Sequence, residues 1–523
     1  MCQFKAYLST FLLILLTSCA VGPNFHSPIA PQTSRYTASP MPAKTTSANS
    51  PGGKSQHFLF DRDIPAQWWG LFRSRYLDDL IRKGIANNPN LQAAQASLRQ
   101  AQENLRAEIG AGLFPSINGS FSAERERFSG QQFGQNNSPG STFSLYNASV
   151  NVTYTLDVFG GIRRQIESFR ALVDFQRFEV EAAYLTLTAN IATSAITEAS
   201  LRAQIDATRN LVQLQEKQLA IVKTQFTLGG ASGSDILLQE TQVQQTRSLL
   251  PPLQKNLYQV RHALAVLVGE LPSQSDVPIF RLEDITLPRV LPISVPSNLV
   301  RQRPDVRAAE ALMHQASALI GVATANLLPQ FPLSANFGYT SNSLNTLFTH
   351  NAETWSIIGQ VTQPIFQGGA LLAQRRAAIA AYDAAAAQYK QTVLTAFQNV
   401  ADALRAIEMD AQALKDLSAA EISARKTLIL TQEQYGLGGA SYVSLLIAQR
   451  QTVQATITRI QAQAARYADT AALFQALGGG WWNRPPEETK EVLSPLNAEK
   501  SADRLGAIKM KTSKGLFNNH AFY

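Results

Sequence analysis

The sequence predicts an α+β membrane protein that has long antiparallel coiled-coil helices and four β-strands per chain. The pentapeptide Leu-Gly-Gly-Ala-Ser occurs twice, at 228–232 and 437–441, and marks the tip of a helical hairpin in each half of a duplicated chain. Each half also combines long runs with a heptad-like apolar repeat and short segments in which apolar and polar residues alternate.

The composition limits the classes of function. The 523 residues are too many for one ordinary domain, and charged residues make up only 16% of them. A net charge of +8 without a basic cluster argues against nucleic-acid binding. The six histidines are scattered, and the sequence contains no nucleophile–base pair, phosphate-binding loop or HExxH motif. We therefore expect no enzyme activity, no metal site and no cofactor.

The N-terminus predicts a lipoprotein signal peptide at residues 1–18. Lys5 precedes the apolar run 11–16, which is too short to span a membrane. The run ends in Leu-Thr-Ser-Cys, which resembles the lipobox of bacterial lipoproteins, so we expect cleavage before Cys19 and its acylation with diacylglycerol and an N-acyl chain. An ordinary signal peptide with an incidental cysteine is the alternative. Ala20 follows, rather than the aspartate that resembles an inner-membrane retention signal, so the outer membrane is the expected location.

The rest of the chain divides into five segments. Residues 19–65 are rich in proline, serine and threonine and predict an extended, lipid-anchored linker with little core of its own. Two repeats are expected at 66–272 and 298–480, joined by a second linker at 273–297. Residues 481–523 predict a polar, mobile tail.

The two repeats match element by element. Pro89 and Pro304 each begin a helix that ends before a Leu-Phe-Pro or Leu-Leu-Pro sequence. A strand pair follows each helix, because residues alternate between apolar and polar there. The segments that show this alternation are 117–128, 148–156, 333–340 and 354–365. One apolar and one polar face fit a soluble sandwich as well as a membrane barrel.

The long helices decide between these two possibilities. Apolar residues step by four and three along 180–226, and again along the return limb 243–267. Residues 163–227 as one helix would be about 100 Å long, which suits a tube that spans the periplasm and no compact enzyme core. Pro251 and Pro252 interrupt the return limb, so we expect a kink or local unwinding in the first repeat only.

Four strands per chain imply an oligomer. An open sheet cannot lie in lipid, because its edge groups would lack hydrogen-bond partners. Two copies would give eight strands, whose interior fills with side chains, whereas three copies give twelve and leave room for a lumen. A homotrimer with a twelve-stranded β-barrel and a helical periplasmic tunnel is therefore the smallest assembly that we expect to conduct.

With these elements in order, the chain resembles the TolC-like outer-membrane efflux family, in its NodT-type lipoprotein branch. The motifs that carry the resemblance are CAVGPNF (19–25), WWGLFRSRYLDDL (68–80), RQRPDVRAAE (301–310) and ALGGGWW (476–482). The resemblance covers about residues 16–482. It implies a trimeric channel in the outer membrane of a Gram-negative bacterium, docked to a periplasmic adaptor and an inner-membrane pump.

The resemblance implies passive export of drugs or small solutes, with energy supplied by the pump. Two alternatives remain open. The same duct could serve type I protein secretion, since nothing in the chain selects a cargo. A non-conducting trimeric lipoprotein that bridges the envelope is the second alternative.

The resemblance also implies a periplasmic gate at the helical tips, where the family has aspartates facing the pore. The predicted gate residues are Asp235, Tyr435, Ser444 and Ile447, of which Ser444 and Ile447 stand where the family commonly has aspartate. Three copies of Asp235 would form a ring that attracts cations, and Ile447 would add an apolar constriction. Asp235 is equally well explained as a helix N-cap, and Ile447 as packing in the coiled-coil seam.

The tips themselves are expected to turn on glycine and to contact the adaptor. Glycine permits a tight reversal between helical limbs. The turn residues are Gly229, Gly230, Gly438 and Gly439, and the flanking residues for which the resemblance implies adaptor contact are Ser232 and Ser441.

Overall fold

The computed structural model describes residues 20–129 and 140–493. The predicted signal peptide 1–18, Cys19, most of the predicted loop after the first strand and the tail beyond residue 493 lie outside the described residues.

The chain divides into two compact units, and both repeats contribute to each of them. The first, here called the sheet unit, comprises Met1–Pro28, Leu98–Gln176 and Ala308–Lys390. The second, here called the helical unit, comprises Ile29–Ser97, Arg177–Arg307 and Gln391–Tyr523.

The described residues form ten α-helices and six strands, apart from short 3₁₀ turns. The helices are α1 (Arg75–Asn87), α2 (Pro89–Leu113), α3 (Gly161–Thr227), α4 (Gly233–Arg247), α5 (Leu250–Leu267), α6 (Pro296–Gln302), α7 (Pro304–Ala325), α8 (Ala370–Gly436), α9 (Tyr442–Ala476) and α10 (Pro486–Leu493). The strands are β1 (His57–Phe60), β2 (Ser116–Phe128), β3 (Ser141–Leu156), β4 (Val290–Ile293), β5 (Phe331–Ser341) and β6 (Glu353–Gly359).

The helices of the two predicted repeats correspond to one another. α3 and α8 are each 67 residues long, or about 100 Å at a rise of 1.5 Å per residue. α2 and α7 begin at Pro89 and Pro304, because proline at the first helical position gives up only an N–H that would be unpaired there. The break expected at Pro251 and Pro252 separates α4 from α5, whereas the corresponding α9 is continuous.

The strands of the sheet unit form one antiparallel sheet in the order β2-β3-β5-β6. The two repeats join through β3 and β5, so within the described residues β2 and β6 are edge strands that are hydrogen-bonded on one side only. β6 ends at Gly359, so the predicted strand 354–365 is too long. Beyond Gly359, only an isolated bridge between Gln330 and Thr362 continues the pairing of β5 and β6.

The register of the sheet separates a polar face from an apolar face. One row of neighbouring residues, on one face, is Asn118, Asn151, Asn336 and Ser356. The adjacent row, on the other face, is Gly119, Val150, Phe337 and Trp355. Side chains on the polar face form hydrogen bonds across strands: the Asn336 Nδ2 donates to the side-chain Oδ1 of Asn151 at 2.5 Å. Among the described residues, none covers the apolar side of β6, where Ile357 is 79% exposed.

Residues 29–65 and the second linker at 273–297 contribute to the core of the helical unit, which corrects the prediction that 19–65 has little core of its own. β1 from the first linker pairs in parallel with β4 from the second, and Phe58 and Leu291 on these strands are buried. Arg466 of α9 is fully buried and donates hydrogen bonds to Gln56, Thr45 and two backbone carbonyls of the first linker. The sequence pattern missed this core because its strands are only four residues long and their partners lie more than two hundred residues away.

The predicted mobile tail begins later than residue 481. α10 closes onto the helical unit, where its Val492 is buried and accepts a hydrogen bond from Gln95. Arg484 donates to both carboxylate oxygens of Glu181 on α3, at 3.1 and 2.9 Å, and both side chains are 1% exposed. The Arg484 guanidinium also lies 4.4 Å from the centre of the Tyr184 ring. Residues 481–493 are therefore a packed element, because a buried ion pair holds them.

Among the helices of the described residues, none is both long enough and apolar enough to cross a bilayer.

Removal of Arg484 should destabilise the helical unit in a pH-dependent way. Burial already raises the pKa of the Glu181 carboxyl above its ordinary 4.5, against the lowering effect of Arg484. In Arg484→Met the pKa rises further, so the folded state retains a proton that the unfolded chain releases above pH 4.5. The free energy of unfolding should therefore fall as the pH rises, with a loss of about 3–5 kcal/mol near neutral pH.

Tryptophan fluorescence during guanidinium titration at several pH values measures this loss. The double variant Glu181→Leu/Arg484→Met is the control, since it removes the charge as well as its partner and should recover most of the stability. A double variant as unstable as the single one would contradict the assignment.

Candidate functional site

The two helical tips of the helical unit share one backbone geometry. Gly229 and Gly438 both adopt a φ of +78°, the left-handed conformation that closes a helix C-terminus. The next glycine in each tip donates its N–H back to a helix carbonyl, from Gly230 to Gln225 at 2.7 Å and from Gly439 to Gln434 at 2.8 Å. These bonds satisfy carbonyls that the helix end leaves free, and the chain reverses direction at these glycines.

The first tip begins its return helix with a reciprocal cap. The Ser232 side chain accepts from the Asp235 backbone N–H at 3.2 Å, and the Asp235 carboxylate accepts from the Ser232 backbone N–H at 2.8 Å. Ser232 is therefore the N-cap, and the prediction that Asp235 caps the helix is corrected: Asp235 is the partner three residues later. The Ser232 hydroxyl and backbone N–H lower the pKa of the exposed Asp235 carboxyl, so Asp235 is charged at neutral pH.

The second tip has the same cap without the charge. Ser441 is the N-cap of α9 and accepts from the backbone N–H of Ser444 at 3.2 Å. The two hydroxyls lie 2.8 Å apart. Ser444 thus occupies the position of Asp235, as the duplication predicts, and supplies no carboxylate.

A small apolar cluster holds the two tips together. Its buried members are Val222, Tyr442 and Leu445, and Tyr435 packs against it. The rings of Tyr435 and Tyr442 lie 5.6 Å apart. Tyr442 donates to the side-chain oxygen of Gln239, and burial raises the pKa of the Tyr442 hydroxyl. Tyr435 is therefore a packing residue of the tips in this chain.

The sequence pattern did not identify Tyr442 as a residue of the tips, and it offered two explanations for Ile447: a constriction of the pore or packing in the coiled-coil seam. Tyr435 and Tyr442 lie seven residues apart across a glycine turn, which could have indicated that their rings meet. Ile447 is 44% exposed, so packing in a seam of its own chain does not explain it. Leu228 and Leu437 at the two turns are more exposed still. The tips thus present apolar side chains that nothing in the described part of the chain covers.

The segment that follows Cys19 is fixed to the sheet unit. The Val21 N–H donates to the carbonyl of Phe159 at 3.0 Å, and Arg164 on α3 donates to the Val21 carbonyl and to the Asn24 side chain. The Phe25 ring stacks on His314 at 4.4 Å between centres. Ala20 therefore lies next to the point where β3 leads into α3, a contact that the sequence pattern did not reveal.

The sequence matches the family described as outer membrane efflux protein over residues 80–270 and 295–479. The toluene efflux pump outer membrane protein TtgC of Pseudomonas putida is 28% identical over 485 residues, which cover 91% of this chain and 96% of that protein. The pyoverdine export outer membrane protein OpmQ of Pseudomonas aeruginosa is 29% identical over 423 residues, which cover 79% of this chain and 87% of that protein.

Solved structures agree with these matches. The outer-membrane channel OprN superposes with a TM-score of 0.79 at 26% identity, over 88% of this chain and all of that one. The CmeC outer membrane channel of Campylobacter jejuni gives a TM-score of 0.81 at 21% identity, over 92% of this chain and 99% of that one, which shows the shared fold.

Proposed function

The chain belongs to the outer membrane efflux protein family, and on that premise we propose that three copies close into the passive duct of a tripartite efflux system for small solutes. It is an outer-membrane efflux protein of a Gram-negative bacterium. The trimer, the adaptor, the pump and the class of solute are what this proposal adds.

The bare edges of the sheet carry the proposal. β2 and β6 each leave a row of backbone N–H and C=O groups unpaired within the described residues. Hydrocarbon cannot satisfy these groups, so β6 of one copy must pair with β2 of the next. Three copies supply twelve strands, with the apolar rows toward lipid and the hydrogen-bonded polar rows toward a water-filled lumen.

The proposed anchor is an acyl group on Cys19. Support comes from the contacts of residues 20–25, since Arg164 and His314 hold this short segment against the end of a membrane-type strand. A lipid attached to the preceding residue would then enter the bilayer beside the strands.

Two neighbouring positions on β6 test the orientation of the sheet. Ile357 lies on the apolar face and Ser356 on the polar face. Lysine at position 357 would face hydrocarbon at a cost of about 2–4 kcal/mol near the midplane, so Ile357→Lys should reduce the amount of trimer in the outer membrane. Such cells should accumulate small solutes as cells without the gene do. Ser356→Lys is the matched control, which should assemble and lower the cation preference of the conductance in planar bilayers.

Equal assembly of the two lysine variants would contradict the proposed faces. A protein that forms trimers and never conducts would favour a structural envelope lipoprotein instead.

The charge at the first tip should set the ion preference. Three copies of Asp235 around one axis would attract cations, so Asp235→Ala should weaken the cation preference in single-channel recordings. Asp235→Asn separates the two roles of this residue, because asparagine removes the charge and can still accept the Ser232 backbone hydrogen bond. Both variants should lose selectivity to the same degree. Unchanged selectivity in either would leave Asp235 with its capping role alone.

The tips should be the docking surface for a periplasmic adaptor. Their exposed leucines and the absence of a covering segment among the described residues support this assignment. A photo-crosslinker placed at Ser232 or Ser441 should capture the adaptor in cells with an assembled pump. The same crosslinker at the exposed Tyr76 of α1 is the control and should capture none. Equal capture at all three positions, or none at either tip, would count against tip docking.

A further inference from the structure

Two glutamine side chains are buried without partners in the coiled coil behind the tips. Gln215 of α3 is 0% exposed and Gln449 of α9 is 1% exposed. Within the described residues, both the Oε1 and the Nε2 atoms of each side chain lack a hydrogen-bond partner. Gln215 lies three residues after Val212 and four before Leu219 in the apolar stepping of α3, so an amide occupies a position where the pattern calls for a hydrocarbon side chain.

The helix register places these two glutamines at one level. α3 and α9 run antiparallel and touch at two known points: Gln461 donates to Gln204, and Val222 packs with Tyr442. Gln215 lies eleven residues beyond Gln204, and Gln449 lies twelve residues before Gln461, so each is about three helical turns from that hydrogen bond. Gln239 of α4 joins the same level, because its side chain donates to the backbone carbonyl of Gln215 at 2.8 Å.

In the part of the chain that the structure describes, the levels of the coiled coil on either side of this layer contain no such unpartnered amide: one is an apolar cluster and the other has a fully hydrogen-bonded glutamine. Toward the tips, Val222, Tyr442 and Leu445 form the apolar cluster. On the other side, both ends of the Gln204 amide are bonded, since Nε2 donates to Ser200 and Oε1 accepts from Gln461, each at 3.1 Å. The unpartnered amides are therefore confined to one narrow level between two stable ones.

We propose that the layer of Gln215 and Gln449 is a built-in weak level, at which the tips loosen from the rest of the coiled coil. Buried amides without partners disfavour the packed arrangement, and water satisfies them as soon as α3 and α9 separate. Because both side chains are buried within one chain, a neighbouring copy cannot supply the missing partners. The inference rests on the proposed duct only in that the duct must open; the weak level itself is a property of the single chain.

Methionine has nearly the shape of glutamine and needs no hydrogen bonds, so it tests the layer directly. In the purified full-length protein, Gln215→Met/Gln449→Met should slow hydrogen–deuterium exchange of tip peptides within 222–247 by at least about tenfold, because it removes the cost of the unpartnered amides. In planar bilayers the same variant should open less often than the unmodified protein.

Gln204→Met is the matched control on the same helix and in the same interface. It removes an amide whose bonds are all made, so it should leave tip exchange unchanged or speed it. If the double variant does not assemble, the single variant Gln449→Met replaces it and should also slow hydrogen–deuterium exchange of the tip peptides, by a smaller factor. Exchange that is not slowed by either methionine variant, or is slowed equally by Gln204→Met, would overturn the proposal. A protein that never conducts would refute the proposed duct, while the exchange measurement would still decide the weak level.

Discussion

The unpaired edges of the four-stranded sheet are the constraint on which the rest of the protein depends. Each repeat supplies one hairpin, and joining two hairpins through β3 and β5 leaves β2 and β6 bare. A chain of this kind cannot bury its backbone in lipid alone. The proposed closure by identical copies would account for the separation of polar and apolar side chains onto opposite faces over much of the sheet.

Local rules made much of this fold predictable from the sequence. Pro89 and Pro304 begin helices, and Gly229 and Gly438 reverse the chain, because proline and glycine act on their own backbone. The sequence predicted that Asp235 caps the helix at the first tip, whereas Ser232 is the N-cap and Asp235 is its partner three residues later. The sequence shows the spacing of these two residues but not which of them is the N-cap.

Long-range partners could not be predicted in the same way. β1 and β4 are only four residues each, too short to show a clear strand pattern, so neither shows that it pairs with a strand in the other linker. Arg484 and Glu181 look like ordinary surface charges, and only the fold buries them together. Gln215 is the opposite case: the heptad pattern correctly placed it in the seam and gave no reason for an amide there. The pattern records where a side chain points, whereas its partners depend on the neighbouring helices.

The ion pair between Glu181 and Arg484 also bears on how the protein is made. Arg484 follows Glu181 by 303 residues, so the carboxyl is made and translocated well before its cation. A helical unit that folded without Arg484 would bury this carboxyl unpaired, which lowers its stability. Loss of Arg484 by truncation would therefore leave a form that proteases recognise more readily. The ion pair thus makes the stability of α3 depend on a segment that is made much later.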